Sequence, residues 1–226
     1  MRNMSELDIN LEGIRNKSTR FPIIVVTEDN DSLHPNVLHE QLQKLLETIG
    51  KNLELSLSVE IGILRYSQDL QWVRKLGLVK SDEISYSTVK ASGAEHPCFE
   101  RALLEALTEF SQKEREYKLS GINTRLPMLV LFTTGDSDTD LANVASIIGQ
   151  YVHDGKLETM VISNTDNQDV KNHLQKMATS GRICWMNEYS SIVNLLVGSM
   201  VALSTSTNNA FSDLISNSKE WRDLFK

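Results

Sequence analysis

The chain has 226 residues, of which 40% are hydrophobic and 23% charged; these proportions are typical of an ordinary folded domain and exclude a disordered or fibrous chain. Its formal charge of -7 and the lack of a Lys/Arg-rich stripe argue against nucleic acid as a partner, because phosphates would be repelled. The sequence has neither a signal-peptide pattern nor a run of about 18 apolar residues, so we expect a cytoplasmic protein with no membrane segment.

The sequence predicts one domain with a short segment on either side. Residues 1–20 are polar and mixed in charge, and we expect a flexible N-terminal arm there. Residues 21–205 carry the apolar patterns of a single domain, and residues 206–226 form a C-terminal tail that includes Trp221 and Phe225. Cys98 and Cys184 are far apart and lack a Cys-x-x-Cys or Cys/His spacing, which indicates free thiols in a reducing compartment.

The first half of the predicted domain contains three strands and one helix. Residues 22–27 are a continuous apolar run, the pattern of a strand that helices cover on both faces. An amphipathic helix follows from Pro35. From Leu55 to Ile63 apolar and polar residues alternate, which predicts a strand with one wetter face. Residues 70–79 follow too soon for a crossover helix, so we expect an antiparallel partner strand at one edge of the sheet.

The second half alternates helices and strands. A helix is predicted to open at Pro97, and the next strand covers residues 128–133. The remaining predicted elements are a helix from Leu141, a strand at 159–163, a helix at 168–178, a strand at 182–186 and a helix at 190–203. Strands that alternate with helices pair in parallel through right-handed crossovers. The sequence therefore predicts an α/β fold: a doubly wound, mostly parallel six-stranded sheet with one antiparallel edge strand and helices on both faces.

Two loops at the carboxyl ends of central strands are candidates for the functional site, because doubly wound sheets bind ligands where the strand order reverses. The first loop reads Glu-Asp-Asn-Asp-Ser over residues 28–32, and the second reads Gly-Asp-Ser-Asp-Thr-Asp over residues 135–140. The loop before the second helix adds Glu95 and His96. All three offer oxygen or nitrogen ligands, so we expect the site at this edge.

These loops and the strands before them resemble the von Willebrand factor type A (vWA) domain, in particular its TerY-like, tellurite-resistance type. That type combines a Pro–apolar run–Asp-x-Ser-x-Ser start, a Ser-Gly-(x)-x-Thr-Pro loop and a Pro–apolar run that ends in Thr-Asp-Gly. The corresponding stretches here lie at residues 22–32, 92–97 and 127–135. The resemblance covers about residues 21–205 and implies a vWA/Rossmann-like fold with a metal-ion-dependent adhesion site.

The resemblance places the metal ligands of that site on Glu28, Asn30, Ser32, His96 and Thr134. Only Ser32 keeps the residue type of the family. Glu28 is one methylene longer than Asp, His96 offers nitrogen in place of a hydroxyl, and Thr134 lacks the charge of Asp. Magnesium prefers octahedral oxygen ligands and well-spaced carboxylates. We therefore expect a degenerate site with weak or no magnesium binding, and no other cofactor.

Three interpretations of the acidic loops stay open at this point. Asp, Asn and Ser favour turns and helix caps, so the loops could be solvated turns. Alternatively, Asp136 or Asp138 could replace the carboxylate lost at Thr134 and preserve an altered metal site. In the third interpretation the loops form a metal-free surface for a partner, with Asp29, Asp31, Asp136 and Asp138 as contact residues.

The predicted function is that of a non-catalytic protein-interaction module rather than an enzyme. Its acidic loops are complementary to a basic patch on a partner protein. The resemblance implies a bacterial stress-response or defence setting with kinase or phosphatase components. The alternative is a metal-dependent hydrolase, a phosphoesterase or nuclease, in which the carboxylates hold a metal that activates water. Cys98 has no identifiable partner for a Cys/His nucleophilic pair, and no phosphate-binding glycine motif follows a strand.

Overall fold

The computed structural model describes residues 19–79, 97–136, 140–179, 182–185, 193–194, 196–198 and 200. Its strands are β1 Phe21–Glu28, β2 Val59–Tyr66, β3 Leu70–Leu78, β4 Met128–Phe132, β5 Glu158–Ser163 and β6 Ile183–Trp185. Its helices are α1 Pro35–Lys51, α2 Leu53–Ser58, α3 Phe99–Ser120, α4 Leu141–His153 and α5 Gln168–Met177, with a 3-10 turn at Asp31–Leu33. Residues 193–194, 196–198 and 200 are also helical.

The six strands form one sheet in the order β3-β2-β1-β4-β5-β6. β1 pairs in parallel with β2 on one side and with β4 on the other. β5 and β6 continue the parallel set, whereas β2 and β3 are antiparallel. The predicted fold class is confirmed, including the antiparallel edge strand. The strand order reverses between β1 and β4, so their carboxyl ends flank the crevice in which this class of sheet binds ligands.

The sheet separates two hydrophobic cores. Successive residues of a strand point to opposite faces, so Ile23 and Val25 of β1 lie in one core and Ile24 and Val26 in the other. The first core is covered by α1 and by the helical residues around Leu196, and the second by α3, α4 and α5. All eight residues of β1 are buried. This position between two helix layers explains why the strand is a continuous apolar run.

The predicted start of the second strand at Leu55 is wrong. Leu53–Ser58 is the short helix α2, and β2 begins at Val59. The side chain of Asn52 caps this helix by accepting a hydrogen bond from the backbone N–H of Leu55 at 3.1 Å. Both serines of the helix donate to backbone carbonyls three or four residues earlier. The alternating serines therefore hydrogen-bond within a helix and do not mark the solvent face of a strand.

The prediction of a wetter face on this strand is also wrong, because every residue of β2 is buried. Glu60 is 6% exposed. Its carboxylate forms an ion pair with Arg20 at 3.3 Å and accepts a hydrogen bond from the Tyr117 hydroxyl at 2.8 Å. These partners take the place of water, so the polar residue in the alternating pattern belongs to a buried network.

Arg20 lies at the start of the described chain and is buried. The predicted arm before residue 19 and the predicted tail at 206–226 lie outside the described residues. Cys98 and Cys184 are both buried and are not joined by a disulfide. In the described ranges, no helix combines the length and the apolar character needed to cross a bilayer.

Candidate functional site

The carboxyl edge of the sheet brings together side chains from four strands or the loops that follow them. Glu28 ends β1, Tyr66 ends β2, Thr133 directly follows β4, and Asn164 directly follows β5. Parallel pairing in register places these strand ends side by side, because Thr27 of β1 is opposite Phe132 of β4. Residues that are distant in sequence therefore meet at the point where the strand order reverses.

Glu28 is the centre of this edge. It is 2% exposed, and its carboxylate accepts hydrogen bonds from N–H groups and hydroxyls of its neighbours. The Thr134 backbone N–H lies 2.7 Å from Oε2, and the Thr134 hydroxyl lies 2.8 Å from Oε1. The Thr133 hydroxyl donates to Oε2 at 3.0 Å, and the Asn30 amide to Oε1 at 2.9 Å. The Tyr66 hydroxyl lies 3.2 Å from Oε2.

Backbone N–H groups orient the two threonine hydroxyls toward Glu28. The N–H of Gly135 donates to Thr133 Oγ1 at 2.9 Å, and the N–H of Asp136 lies 3.3 Å from Thr134 Oγ1. Each hydroxyl then has its own hydrogen available for the carboxylate. Gly135 has φ of +82°, and a Cβ there would lie 2.2 Å from a methyl carbon of Val170. The glycine is therefore required for both the turn and the close contact with α5.

The Tyr66 hydroxyl supports the same network from β2. It lies 2.9 Å from Thr133 Oγ1 as well as near Glu28. Burial raises the pKa of Tyr66 well above its usual value of 10, and the nearby Glu28 raises it further. The phenol therefore keeps its proton and acts as a hydrogen-bond donor at the carboxyl edge.

The Asp29 side chain is held away from solvent. Its Oδ2 accepts a hydrogen bond from Arg65 at 2.6 Å, and the two side chains are 9% and 10% exposed. The Asp29 backbone N–H donates to the carbonyl of Tyr66 at 2.8 Å. These contacts join the first loop to the end of β2, so Asp29 fixes the loop and its charge is balanced by Arg65.

Asn30 and Ser32 shape the first loop. Asn30 Oδ1 accepts from the backbone N–H of Ser32 at 3.0 Å and from its hydroxyl at 2.8 Å, which caps the 3-10 turn. The carbonyl of Ser32 accepts from the Asn164 side chain at 2.7 Å. The loops that follow β1 and β5 are thereby tied to each other across the edge.

Exposed carboxylates surround this hydrogen-bonded centre. We call them the acidic rim; its described members are Asp31, Asp136, Asp140, Asp166 and Asp169, all exposed. Asp140 also caps α4 by accepting from the backbone N–H of Ala142. Within the described ranges, no Lys or Arg forms an ion pair with any member of the acidic rim. The rim therefore carries negative charge in direct contact with solvent.

The resemblance to vWA domains implies a divalent cation at this edge, and the residues present do not fit one in the observed arrangement. Both oxygens of Glu28 already accept hydrogen bonds. Asn30 and Ser32 bond to each other, and the Thr134 hydroxyl is directed at Glu28. A cation could use these oxygens only if the internal hydrogen bonds were broken. The described part of the chain holds no group of three or more His, Cys, Asp or Glu side chains placed to bind a metal ion.

The structure places four of the ligands predicted from the sequence in one network, namely Glu28, Asn30, Ser32 and Thr134. His96 and Asp138 lie outside the described residues. Of the predicted contact residues, Asp31 and Asp136 are exposed, whereas Asp29 is half-buried and its side chain is only 9% exposed.

Sequence reasoning missed Tyr66, Thr133 and Asn164. Each lies at a strand end or directly after one on the same edge of the sheet, and this position was the available signal. Tyr66 is the last residue of β2, and Thr133 and Asn164 are polar residues of the loops that follow their strands. Their role depends on partners that are distant in sequence. Tyr66 lies 38 residues from Glu28 and 67 residues from Thr133, and Thr133 lies 105 residues from Glu28.

No family model matches this sequence, and no curated protein matches it. Solved structures do resemble it. The proximal thread matrix protein 1 from the mussel byssus is similar with a TM-score of 0.56 and 16% identity; the match covers 83% of this chain and 49% of that one. A second structure of the mussel protein, with a zinc-occupied MIDAS motif, gives a TM-score of 0.55, 16% identity and coverage of 83% and 48%.

Two further structures are named as vWA domains. The SpRpn10 VWA domain matches with a TM-score of 0.50 and 11% identity, over 74% of this chain and 85% of that one. A von Willebrand factor type A protein from Catenulispora acidiphila matches with a TM-score of 0.52 and 11% identity, over 81% and 42%. This chain thus spans about half the length of the mussel protein and less of the Catenulispora protein. At these identities the likeness shows the fold: a vWA/Rossmann-like domain.

Proposed function

We propose that this protein is a non-catalytic interaction module of vWA type whose carboxyl edge binds a partner protein without a divalent cation. The hydrogen-bonded Glu28 carboxylate is the observation that carries the proposal. In this arrangement the protein's own N–H groups and hydroxyls occupy the positions through which a cation would be bound. The site is then a degenerate metal-ion-dependent adhesion site that holds its loops without metal.

The acidic rim supplies the recognition surface. Asp31, Asp136 and Asp166 belong to three different loops and are exposed, while the contact between Asn164 and Ser32 fixes two of these loops relative to each other. Fixed carboxylates of one sign attract a partner surface of the opposite sign and accelerate its association. The partner contact is therefore a patch of Lys and Arg side chains.

The resemblance to TerY-like proteins suggests the cellular system in which the module acts. The relevant features are the two Pro–apolar runs, which lead to Glu28 and to Thr133, and the Thr-Thr-Gly sequence in the position of Thr-Asp-Gly. On this basis the module acts in the cytoplasm of a bacterium, in a stress-response or defence system whose kinase or phosphatase components include its partner.

Partner capture with and without divalent cation tests this function. The immobilised protein is incubated with a lysate of cells that express it, in magnesium and separately in EDTA, and the captured proteins are identified. We expect the same partner under both conditions, because no contact in the proposed surface uses a cation. Association with the purified partner then slows as salt rises, since the attraction is between charged surfaces.

A charge-reversal pair locates the surface. Asp31→Lys with Asp136→Lys should reduce the association rate, whereas Glu47→Lys with Glu116→Lys should not. The control changes the net charge equally; it removes the ion pairs of Glu47 with Lys51 and of Glu116 with Lys113, and a hydrogen bond from Gln43 to Glu47. Capture that requires magnesium would instead indicate a working metal site. Equal association rates for both double variants would place the interface elsewhere.

A further inference from the structure

The amino edge of the sheet, where the strands begin, contains a groove of about 500 Å³. Pro22, the second residue of β1, and Leu157, which directly precedes β5, line it from the side of the sheet. Phe110 of α3 and Tyr151 of α4 line it from the helices. The cavity therefore lies at the opposite end of the sheet from the acidic rim. We call it the amino-edge groove.

The size and the lining of the groove are typical of a site for a small molecule. Such sites have volumes of about 300–1,000 Å³ and combine apolar and aromatic walls with a few polar groups. Most of the lining residues here are apolar or aromatic, and three of them carry rings, namely Phe110, Tyr117 and Tyr151. Aromatic rings pack favourably against other rings in offset or edge-to-face arrangements. The walls therefore suit a ligand with an aromatic body.

Contacts within the fold hold two walls of the groove in place. The Tyr117 hydroxyl donates to the Glu60 carboxylate at 2.8 Å, and this tyrosine is 5% exposed. The backbone N–H of Arg125 donates to the carbonyl of Arg20 at 2.7 Å, which fixes the segment before β4. A ligand that enters such preformed walls loses little of its binding free energy to ordering of the protein.

Two positively charged residues line the groove on adjacent segments. Arg125 belongs to the segment that leads into β4, and Lys156 to the segment that leads into β5. These segments run side by side, because the backbone N–H of Glu158 donates to the carbonyl of Pro127 at 2.9 Å. An anionic group of a ligand in the groove therefore has a guanidinium and an ammonium available from the same side.

The carboxylates near the groove leave this positive charge available. Glu114 lines the groove and forms an ion pair with Lys118 of the same helix. Asp154 pairs with Lys156 at 2.9 Å, and these two side chains are 32% and 64% exposed. Exposed pairs of this kind stabilise a protein little, so a ligand carboxylate can share Lys156 with Asp154. The charges of the lining thus favour an anionic ligand over a cationic one.

We propose that the amino-edge groove binds a small carboxylate with an aromatic body. The carboxylate lies against Arg125 and Lys156, and the ring packs among Phe110, Tyr117 and Tyr151. Hydrogen bonds between a carboxylate and a charged donor are the stronger kind, so they fix the orientation of the ligand. This site goes beyond the proposed function, because it uses no residue of the acidic rim or of the carboxyl edge.

Titration of the full chain with phenylpropionate tests the ligand class. Amide resonances of residues 107–117 and 151–157, which flank the groove, should shift in NMR spectra. Phenylpropanamide, which has the same shape without the charge, should bind about tenfold more weakly, because it lacks the charge-assisted hydrogen bonds. The cationic phenylpropylamine and the ringless propionate should also bind more weakly than phenylpropionate. Equal affinity for the acid and the amide, or no shift with millimolar acid, would overturn the proposal.

A bulky substitution on α3 locates the binding site. Ser111→Trp should abolish the shifts by filling the groove, whereas Thr108→Trp should preserve them. Both residues are exposed, and both hydroxyls donate to the backbone carbonyl four residues earlier. Of the two, only Ser111 lines the groove. Thermal unfolding verifies that each variant is folded. Unaltered binding by Ser111→Trp, or loss of binding in both variants, would contradict the proposed site.

Charge removal tests the orientation of the ligand. Arg125→Gln with Lys156→Gln should weaken phenylpropionate about tenfold, to the affinity of the amide, and leave the amide unchanged, because only the acid uses the two charges. Arg115→Gln with Lys44→Gln is the control; it changes the net charge equally at exposed residues outside the groove. Lys156→Gln alone alters an exposed residue and should give a smaller loss in the same direction. Equal losses in the control, or equal losses for acid and amide, would refute the proposal.

Discussion

Two glutamates are buried at opposite edges of the same sheet, and the protein stabilises them in different ways. Glu60, near the amino edge, has Arg20 as a charged partner and the Tyr117 hydroxyl as a second donor. Glu28, at the carboxyl edge, accepts from Thr133, Thr134 and Asn30, with no Lys or Arg ion pair in the described ranges.

The comparison shows how the same residue type produces either a neutral or a charged interior. An ion pair cancels the charge locally, although desolvation of both groups offsets much of the attraction. Neutral dipoles satisfy the oxygens of a carboxylate without cancelling its charge. The amino edge is thus neutralised inside, whereas the carboxyl edge keeps negative charge beneath the acidic rim.

The largest loss of stability is expected from removing Arg20, the positively charged partner of Glu60 at the amino edge. Arg20→Met should lower the free energy of unfolding by about 3–5 kcal/mol, because Glu60 would keep its buried charge without its partner. Urea denaturation measures the loss. Arg20→Met with Glu60→Met should recover a large part of it, since no buried charge remains. If Arg20→Met were as stable as the native chain, the conclusion that Arg20 balances the charge of Glu60 would be wrong.

A smaller loss is expected at the carboxyl edge. Glu28→Gln keeps the shape of the side chain but turns one acceptor oxygen into an N–H donor that faces other donors. One buried hydrogen-bonding group is then unsatisfied, which costs about 1–3 kcal/mol. Thermal and urea unfolding should show this loss in magnesium and in EDTA alike. A loss that appears only in magnesium would show that Glu28 binds a cation.

The two buried tyrosines make the free energy of unfolding depend on pH in the alkaline range. Burial is the main cause that raises the pKa of both Tyr66 and Tyr117 above the usual 10. Above pH 10 the unfolded chain therefore loses phenolic protons that the folded chain keeps, and stability falls. Each tyrosine contributes up to about 1.4 kcal/mol per pH unit. Tyr66→Phe and Tyr117→Phe should each make the decline of unfolding free energy between pH 10 and 11 shallower; an unchanged slope would contradict the burial of that phenol.

The smallest change in thermal stability is expected from the addition of magnesium to the native protein. A ligand present at a thousand times its dissociation constant would stabilise the fold by about 4.1 kcal/mol. Because Glu28 and Thr134 bond to each other, we expect millimolar magnesium to leave the midpoint of thermal unfolding unchanged. Calorimetric titration provides the second readout. A low-micromolar dissociation constant would refute a cation-independent carboxyl edge.

The central fold could be predicted from the sequence because its signals are local. β1 and β4 are continuous apolar runs that helices bury on both faces. The helix α2 could not be predicted from the sequence, because its alternation of Leu and Ser has the period of a strand. Its stability depends on the cap from Asn52 and on serine bonds to the backbone, and periodicity does not contain this information.

The candidate site could be located but not described from the sequence. The loops at the strand ends indicated the edge of the sheet, the resemblance to vWA domains indicated Glu28 and Thr134, and the sheet brings these two residues together. The Asp29 side chain is paired with Arg65, whereas Asp31 is exposed. This difference depends on the direction of each side chain in the folded loop. The participation of Tyr66 depends on the neighbouring strand. Such facts arise from tertiary packing, which a single sequence does not encode residue by residue.

The position of β1 at the centre of the sheet has a consequence for synthesis on the ribosome. One edge of β1 pairs with β2, but the other pairs with β4, and the contact between Glu28 and Thr133 joins residues 105 positions apart. At about 5–20 residues per second, the ribosome needs roughly 5–20 seconds to make the intervening chain. During that interval the apolar strand presents an open hydrogen-bonding edge, which is a template for aggregation. We therefore expect that this edge of the nascent chain needs protection from aggregation until β4 emerges.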